Sequence, residues 1–155
     1  MIRHVRQVAA AMLLTGIAAG SALAQDMGKK MDKNTLYARL GGKAAITAVV
    51  DEFVGRVAAD KRINAFFAAT AGDPKRLAAF KGKLVDQICE ASGGPCKYMG
   101  KTMKAAHAGM GVKGADFDAL VSDLVGALDK FKVAEADKNT LLGVLGPMKG
   151  DIVAK

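Results

Sequence analysis

The spacing of apolar residues constrains the fold of this chain more than any other feature. In four stretches these residues recur three and four positions apart, which places them on one face of an α-helix. The four stretches lie at 46–57, 77–88, 117–131 and 141–148. No stretch alternates between apolar and polar residues as a half-buried strand does. The pattern predicts an all-α fold.

Glycine and proline mark where the helices begin and end. Gly41-Gly42 separates a short helical turn at 36–40 from the first long helix, and Asp73-Pro74 supplies an N-cap and a first-turn proline to the second. Gly93-Gly94-Pro95 ends that second helix. Between it and the helix at 117–131, closely spaced glycines leave room for one short helix at 102–108.

The first 24 residues have the pattern of a secretory signal peptide. Arg3 and Arg6 precede a short apolar run, and Ala22-Leu23-Ala24 resembles a cleavage site. We expect cleavage there, a disordered polar leader at 25–34 and one domain at 35–155. The mature protein is predicted to be periplasmic or secreted, with no stable membrane association.

The charge pattern argues against a nucleic-acid partner. The chain has a formal net charge of +8, of which Arg3 and Arg6 leave with the signal peptide. The remaining lysines are spread along the sequence, without the clustered arginines and interleaved aromatic residues of a nucleic-acid surface. We expect solvated basic faces and a monomer.

One stretch, KYMGKTMKAAHAGMG at 97–111, carries candidate ligands. It contains His107, the only histidine that remains after signal cleavage, so any function that needs an imidazole depends on it. One interpretation is a copper site formed by Met99, Met103, His107 and Met110. The alternatives are that the stretch forms one wall of a cofactor pocket, with His107 as a ligand, and that it is ordinary core packing. Zinc bound by Cys89, Cys96 and His107 would lack a fourth ligand.

Four segments together resemble the group I truncated haemoglobins: LYARLGGKAAITAVVDEFVGRV, INAFF, GGPCKYMGKTMKAAHAGMGV and DFDALV. The resemblance extends from Leu36 to Val153. It implies a two-over-two helical sandwich around one haem b, with His107 as the proximal ligand of the iron. Because the sequence contains no Cys-x-x-Cys-His motif, we expect the haem to be bound non-covalently.

The resemblance also implies which residues surround the haem. Tyr98, with Lys101 or Lys104 beside it, is expected near the propionates. The other expected contacts are Phe53, Val54, Phe67, Phe80, Lys83, Leu84, Gln87, Ile88, Met103, Val112, Phe117, Val121 and Leu145. For Val112, Phe117, Val121 and Leu145, core packing explains the sequence equally well.

The distal residues depart from the family pattern. Val54 stands where the family usually has the tyrosine that donates a hydrogen bond to oxygen, and Phe80 and Leu84 are expected over the iron. Two polar residues remain on the same helix: Lys83, which matches a position that ligates iron in some relatives, and Gln87. Ligation by Lys83 requires a neutral amine, which costs about 4 to 5 kcal/mol near neutral pH.

The predicted function is reversible binding of O₂, NO or CO at haem iron. Without the distal tyrosine we expect weak oxygen retention, and any nitric oxide dioxygenase activity to be weak. A role in NO or redox detoxification or in sensing stays open, as does the redox partner. The alternative is a periplasmic Met/His copper-binding protein. The sequence leaves open whether Cys89 and Cys96 form a disulfide.

Overall fold

The computed structural model describes residues 32–154, and every regular element in that range is helical. The all-α prediction is therefore confirmed. We number the helices α1 (Leu36–Arg39), α2 (Gly42–Ala59), α3 (Ala68–Ala71), α4 (Pro74–Ala91), α5 (Met103–His107), α6 (Gly114–Lys130), α7 (Glu135–Leu145) and α8 (Lys149–Ile152). Short 3₁₀ turns at Asn64–Phe67 and Gly146–Met148 precede α3 and α8.

The long helices begin where local hydrogen bonds satisfy their first backbone N–H groups. The Asp73 carboxylate accepts from the N–H groups of Lys75, at 2.8 Å, and Arg76, at 3.1 Å, and so caps α4. In α6 the Asp116 carboxylate reaches back to the N–H of Lys113, at 2.8 Å. Gly41, with φ at 92°, supplies the left-handed residue before α2.

The core lies where α2 packs against both α4 and α6. Because α2 has neighbours on two sides, its buried residues cover a wide face that includes Ile46, Val50 and Val57. Leu141 brings α7 against the same cluster. Leu128 and Leu141, each 1% exposed, are among its most deeply buried side chains. The long helices thus form a rigid frame to which the short segment around α5 is attached.

A disulfide joins Cys89, at the end of α4, to Cys96, just beyond the glycine turn. The sequence left this pairing open. The turn requires glycine at position 94. The Cβ of any other residue would clash, at 2.5 Å from the Tyr37 ring and 2.7 Å from the Cys89 carbonyl oxygen. The bond fixes the start of the segment that leads to α5.

The predicted signal peptide, 1–24, and most of the predicted leader lie outside the described residues. Within 32–154, none of the helices combines the length and the apolar content that crossing a bilayer requires.

Candidate functional site

The frame encloses an apolar cavity between α2, α4, α6 and the C-terminal helices. Its volume is about 130 Å³, and about 720 Å³ when the empty space out to its open mouth is included. It is lined by Phe53, Phe67, Phe80, Leu84, Gln87, Ile88, Met103, Phe117, Leu120, Val121, Leu124, Leu145, Met148 and Ile152. Gln87 is the only residue of this lining with a nitrogen or oxygen in its side chain. We call this space the main cavity.

The side-chain amide of Gln87 makes weak bonds across the main cavity. Its Nε2 donates to the sulfur of Met148, at 3.3 Å, and to the sulfur of Met103, at 3.5 Å. Thioether sulfur is a weak acceptor. The contacts connect α4 to α5 and to the 3₁₀ turn before α8, so these three elements meet at one wall of the cavity.

His107 lies at the end of α5 and is held by its own helix. Its Nδ1 is 2.8 Å from the Met103 carbonyl oxygen, one turn earlier. A carbonyl oxygen can only accept, so Nδ1 carries a proton, and in the neutral imidazole Nε2 keeps its lone pair. This is the tautomer in which an imidazole binds a metal through Nε2.

The imidazole of His107 borders a small apolar cavity next to the main cavity. Phe67, Phe117 and Leu120 line both spaces and form the wall between them. The small cavity is completed by Ile63, Phe66, Met110, Val112 and Asp116. The histidine and the main apolar cavity therefore share a wall of three apolar side chains.

The backbone around α5 sets the position of His107. The Thr102 hydroxyl accepts from the N–H of Ala105, at 3.2 Å, and begins the helix. Gly109 and Gly111 then take positive φ values of 76° and 66° and turn the chain away. The N–H of Ala154 donates to the Val112 carbonyl, at 2.8 Å, which ties the end of the segment to the C-terminus.

Phe67 and Phe80 separate the main cavity from a third apolar space. Their ring centroids are 5.7 Å apart, and both rings line the two spaces. Val54 lines the third space together with Val57 and Leu77, and it is absent from the main-cavity lining. Val54, the position at which the resemblance leads us to expect a distal tyrosine, therefore faces the third space and not the main cavity.

Most of the predicted haem contacts are brought together. Phe53, Phe67, Phe80, Leu84, Gln87, Ile88, Met103, Phe117, Val121 and Leu145 line the main cavity. His107 and Val112 line the small cavity beside it. Lys83 is exposed on α4 and contributes to none of these linings.

Tyr98 is also placed outside the three apolar cavities. Its hydroxyl donates to the Lys101 carbonyl, at 2.8 Å, and its N–H donates to the Glu90 carboxylate, at 2.9 Å. That N–H, together with the ammonium group of Lys97, lowers the pKa of Glu90. Tyr98 thus stabilises the turn that leads from the disulfide to α5.

Four residues of the main cavity were not predicted: Leu120, Leu124, Met148 and Ile152. Leu120 and Leu124 belong to the same apolar stripe of α6 as Phe117 and Val121, so helical spacing could have added them to the two residues that the resemblance implied. Met148 ends the predicted stretch at 141–148, but the 3₁₀ turn at Gly146–Met148 changes the spacing there, and Ile152 lies beyond it.

The methionines of the 97–111 stretch do not share one face. Met99 is 88% exposed, Met103 lines the main cavity, and Met110 lines the small cavity with His107. A copper site built from all three would have to rearrange the segment. Among the described residues, no cluster of three or more His, Cys, Asp or Glu side chains could hold a metal ion.

The residues present fit a flat, apolar, iron-containing ring. Four phenylalanines supply apolar surface, and one histidine presents a free ring nitrogen beside it. Haem is bound by this combination: apolar contacts to the porphyrin and one axial imidazole. His107 would be the axial ligand, and the main-cavity residues would contact the ring.

Comparison with known proteins agrees with this chemistry. The model of the bacterial-like globin family matches residues 35–154. Group 1 truncated hemoglobin GlbN of Mycolicibacterium paratuberculosis is 32% identical over 124 residues, which cover 80% of this chain and 88% of that protein. The GlbN of a Synechocystis species is 39% identical over 106 residues, covering 66% and 82%.

Solved structures show the same fold. The truncated hemoglobin of Tetrahymena pyriformis superimposes with a TM-score of 0.71 at 31% identity, covering 78% of this chain and 99% of that one. The 2/2 hemoglobin of a Synechococcus species gives 0.70 at 31% identity over the same shares. The predicted two-over-two sandwich is thereby confirmed. The chain belongs to the bacterial-like globin family and, within it, to the group 1 truncated haemoglobins.

Proposed function

We propose that this protein holds one haem b non-covalently, with His107 as the axial ligand, and reversibly binds O₂, NO or CO. The observation that carries the proposal is the hydrogen bond from His107 Nδ1 to the Met103 carbonyl, which leaves Nε2 as a free ligand beside an apolar cavity. Haem, when bound, supplies an iron with a coordination site for a diatomic gas. The chain's residues hold the ring, orient the imidazole and exclude water.

Non-covalent binding is supported by the side chains that are present. The Synechococcus hemoglobin structure has covalently attached heme. In this chain both cysteines are joined to each other, and His107 is the only histidine of the described part. Acid–butanone extraction should therefore remove all of the haem. Haem absorbance that remains with the extracted polypeptide would contradict non-covalent binding.

The main cavity offers little polar stabilisation to oxygen. Gln87 is its only residue with an N–H donor, and its amide is turned toward two thioether sulfurs. A hydrogen bond to a partly charged oxygen atom is worth roughly 1 to 3 kcal/mol. We therefore expect oxygen to dissociate faster than from tyrosine-bearing relatives. Conversion of NO requires O₂ to stay bound until NO arrives. Because donors are scarce in the cavity, we expect binding of NO or CO and not efficient conversion of NO.

Lys83 is the second candidate iron ligand. It is exposed on α4, one turn before Gln87, so ligation requires the side chain to turn inward and lose its proton. We therefore propose His107 as the resting protein ligand. The hypothesis of ligation by Lys83 predicts a low-spin ferric spectrum that Lys83→Ala converts to high-spin, and identical spectra would end it.

We also propose that the chain is exported and cleaved after Ala24. Two observations support this: the signal pattern at 1–24, and the Cys89–Cys96 disulfide, which is typical of an oxidising compartment. Expression of the full chain should give a periplasmic product whose mass shows that its N-terminal residue is Gln25. A cytoplasmic product of full mass would contradict export.

The experiment that tests haem binding is a titration of the purified protein with hemin. We expect an intense Soret band that saturates at one hemin per chain and shifts when the reduced protein is exposed to CO. A colourless protein that instead binds Cu(I) stoichiometrically would support the copper alternative.

A further inference from the structure

The segment around His107 has an unusual charge. From Ala91 to Ala115 the sequence has four lysines, Lys97, Lys101, Lys104 and Lys113, and no aspartate or glutamate. Lys97 forms an ion pair with Glu90, at 3.0 Å. The other three are exposed and form no ion pair within the part of the chain that the structure describes. We call residues 97–113 the proximal segment.

Half of the ten described lysines outside the proximal segment form ion pairs, compared with one of the four within it. Lys43 pairs with Asp86, Lys81 with Asp51, and Lys130 with Glu52. The proximal segment therefore has a local excess of positive charge that its own surroundings do not neutralise. Such an excess attracts acidic proteins and accelerates their association, although it adds less to final affinity.

A surface depression lies beside His107, and Lys104 of the proximal segment lines it. It has a volume of about 520 Å³ and is lined by Lys104, His107, Ala108, Gly109, Gly111 and residues 150–154. Gly109 and Gly111 face open space, since a Cβ at either position would meet nothing within 4 Å. Asp151 is the only acidic residue in its lining.

Other exposed residues of the proximal segment add positive charge and one apolar side chain. Lys113 follows Val112, whose carbonyl is bonded to the N–H of Ala154 in the lining. Met99, 88% exposed, adds an apolar side chain between Lys97 and Lys101. A concave surface beside a lysine-rich segment with one exposed apolar side chain fits a protruding acidic loop of another protein better than it fits a flat bilayer.

We propose that the proximal segment and the depression beside His107 form the docking surface for an acidic protein that donates one electron. The inference rests on the proposed function, because the donor would reduce ferric iron to ferrous iron. The donor is oxidised by one electron, the iron is reduced by one, and no bond forms or breaks. Docking beside His107 would bring the donor close to the axial ligand.

The test uses flavodoxin, a soluble acidic one-electron carrier, as the probe. Calorimetry at low ionic strength and amide chemical-shift mapping measure its binding to the haem-loaded protein and to the haem-free protein. The test variant is K101E/K104E/K113E. The matched control, K61E/K75E/K132E, makes the same change in net charge at three exposed lysines outside the proximal segment.

We expect flavodoxin to shift amide signals within 97–113 and bind more weakly as salt rises. The test variant should lose about ten-fold or more in affinity, whereas the control should lose about three-fold or less. Circular dichroism verifies the fold. If the test variant does not fold, K101Q/K104Q/K113Q replaces it, with an intermediate loss expected.

Three results would overturn the docking proposal. The first is that flavodoxin does not bind at low salt. The second is that the two triple variants weaken binding equally. The third is that phosphatidylglycerol vesicles bind the segment and flavodoxin does not compete with them. Failure of the proposed function is seen separately, as the absence of a Soret band after hemin addition. Flavodoxin binding without that band would support the surface and contradict the haem site.

Discussion

The two walls of the site are built in opposite ways. On the proximal side, glycines, a disulfide-anchored turn and one hydrogen bond hold a single histidine in a defined tautomer. On the distal side, Phe80 and Leu84 supply surface but no hydrogen-bond donor. The proximal wall therefore depends on one residue, whereas the distal wall depends on volume and apolar character. Ligand attachment should be sensitive to proximal changes, and ligand preference to distal polarity.

The first prediction adds a donor to the distal wall. Leu84→Gln places an amide at a position that lines the main cavity. A hydrogen bond to oxygen of roughly 1 to 3 kcal/mol should slow O₂ dissociation by about one to two decades. Stopped-flow measurement of O₂ displacement by CO checks this. Leu84→Met is the matched control without a donor and should leave the rate nearly unchanged.

An equal change in both variants would show that cavity shape, and not polarity, controls oxygen release. The claim that the polarity of the distal wall controls ligand preference would then be wrong.

The second prediction concerns the anchor of the proximal wall. Replacing both cysteines, C89S/C96S, removes a cross-link between residues seven apart in sequence. The chain-entropy model gives a loss of about 2 to 3 kcal/mol in the free energy of unfolding. Urea unfolding of the haem-free protein measures it. Wild-type protein reduced with dithiothreitol is the control and should show a similar loss, whereas no loss would mean that the helices alone hold the turn.

The third prediction lies away from the site and should have the smallest effect. Asp123 on α6 has a buried Oδ2 with no hydrogen-bond partner within the described residues. Burial, and then the nearby Asp60 carboxylate, raise the pKa of Asp123. A raised folded-state pKa means that Asp123 stabilises the fold at low pH and that this contribution is lost as pH rises through that pKa.

Asp123→Asn should therefore raise the melting temperature slightly at pH 7 and give no gain at pH 3, where the native carboxyl is protonated. Asp151→Asn, at an exposed residue that forms no ion pair within 32–154, is the control and should change little. Scanning calorimetry at both pH values compares them. A gain of equal size at pH 3 would mean that the charge of Asp123 is not the cause.

Sequence reasoning identified the two walls unequally. His107 stood out because it is the only histidine after the predicted cleavage site, and the resemblance implied both its role as a ligand and the residues of the apolar lining. Periodicity could not orient Val54, because α2 is buried on two sides and its apolar face includes both Phe53 and Val54. Lys83 was expected near the iron by resemblance, whereas its position on α4 is exposed. Where a helix has two apolar neighbours, spacing alone does not choose between them.

The pairing of the cysteines shows the same limit. Spacing made the disulfide possible, but only the turn at Gly94, packed against Tyr37, brings Cys89 and Cys96 together. Met148 and Ile152 reach the main cavity through the 3₁₀ turn at Gly146–Met148, which helical spacing did not predict.

The most direct test of haem ligation by His107 is the visible spectrum of His107→Gly after hemin addition, with and without free imidazole. The account predicts that the variant loses the axial ligand, that its Soret band weakens and shifts, and that imidazole restores the wild-type spectrum. A variant whose spectrum and CO binding match the wild type without imidazole would show that another residue holds the iron.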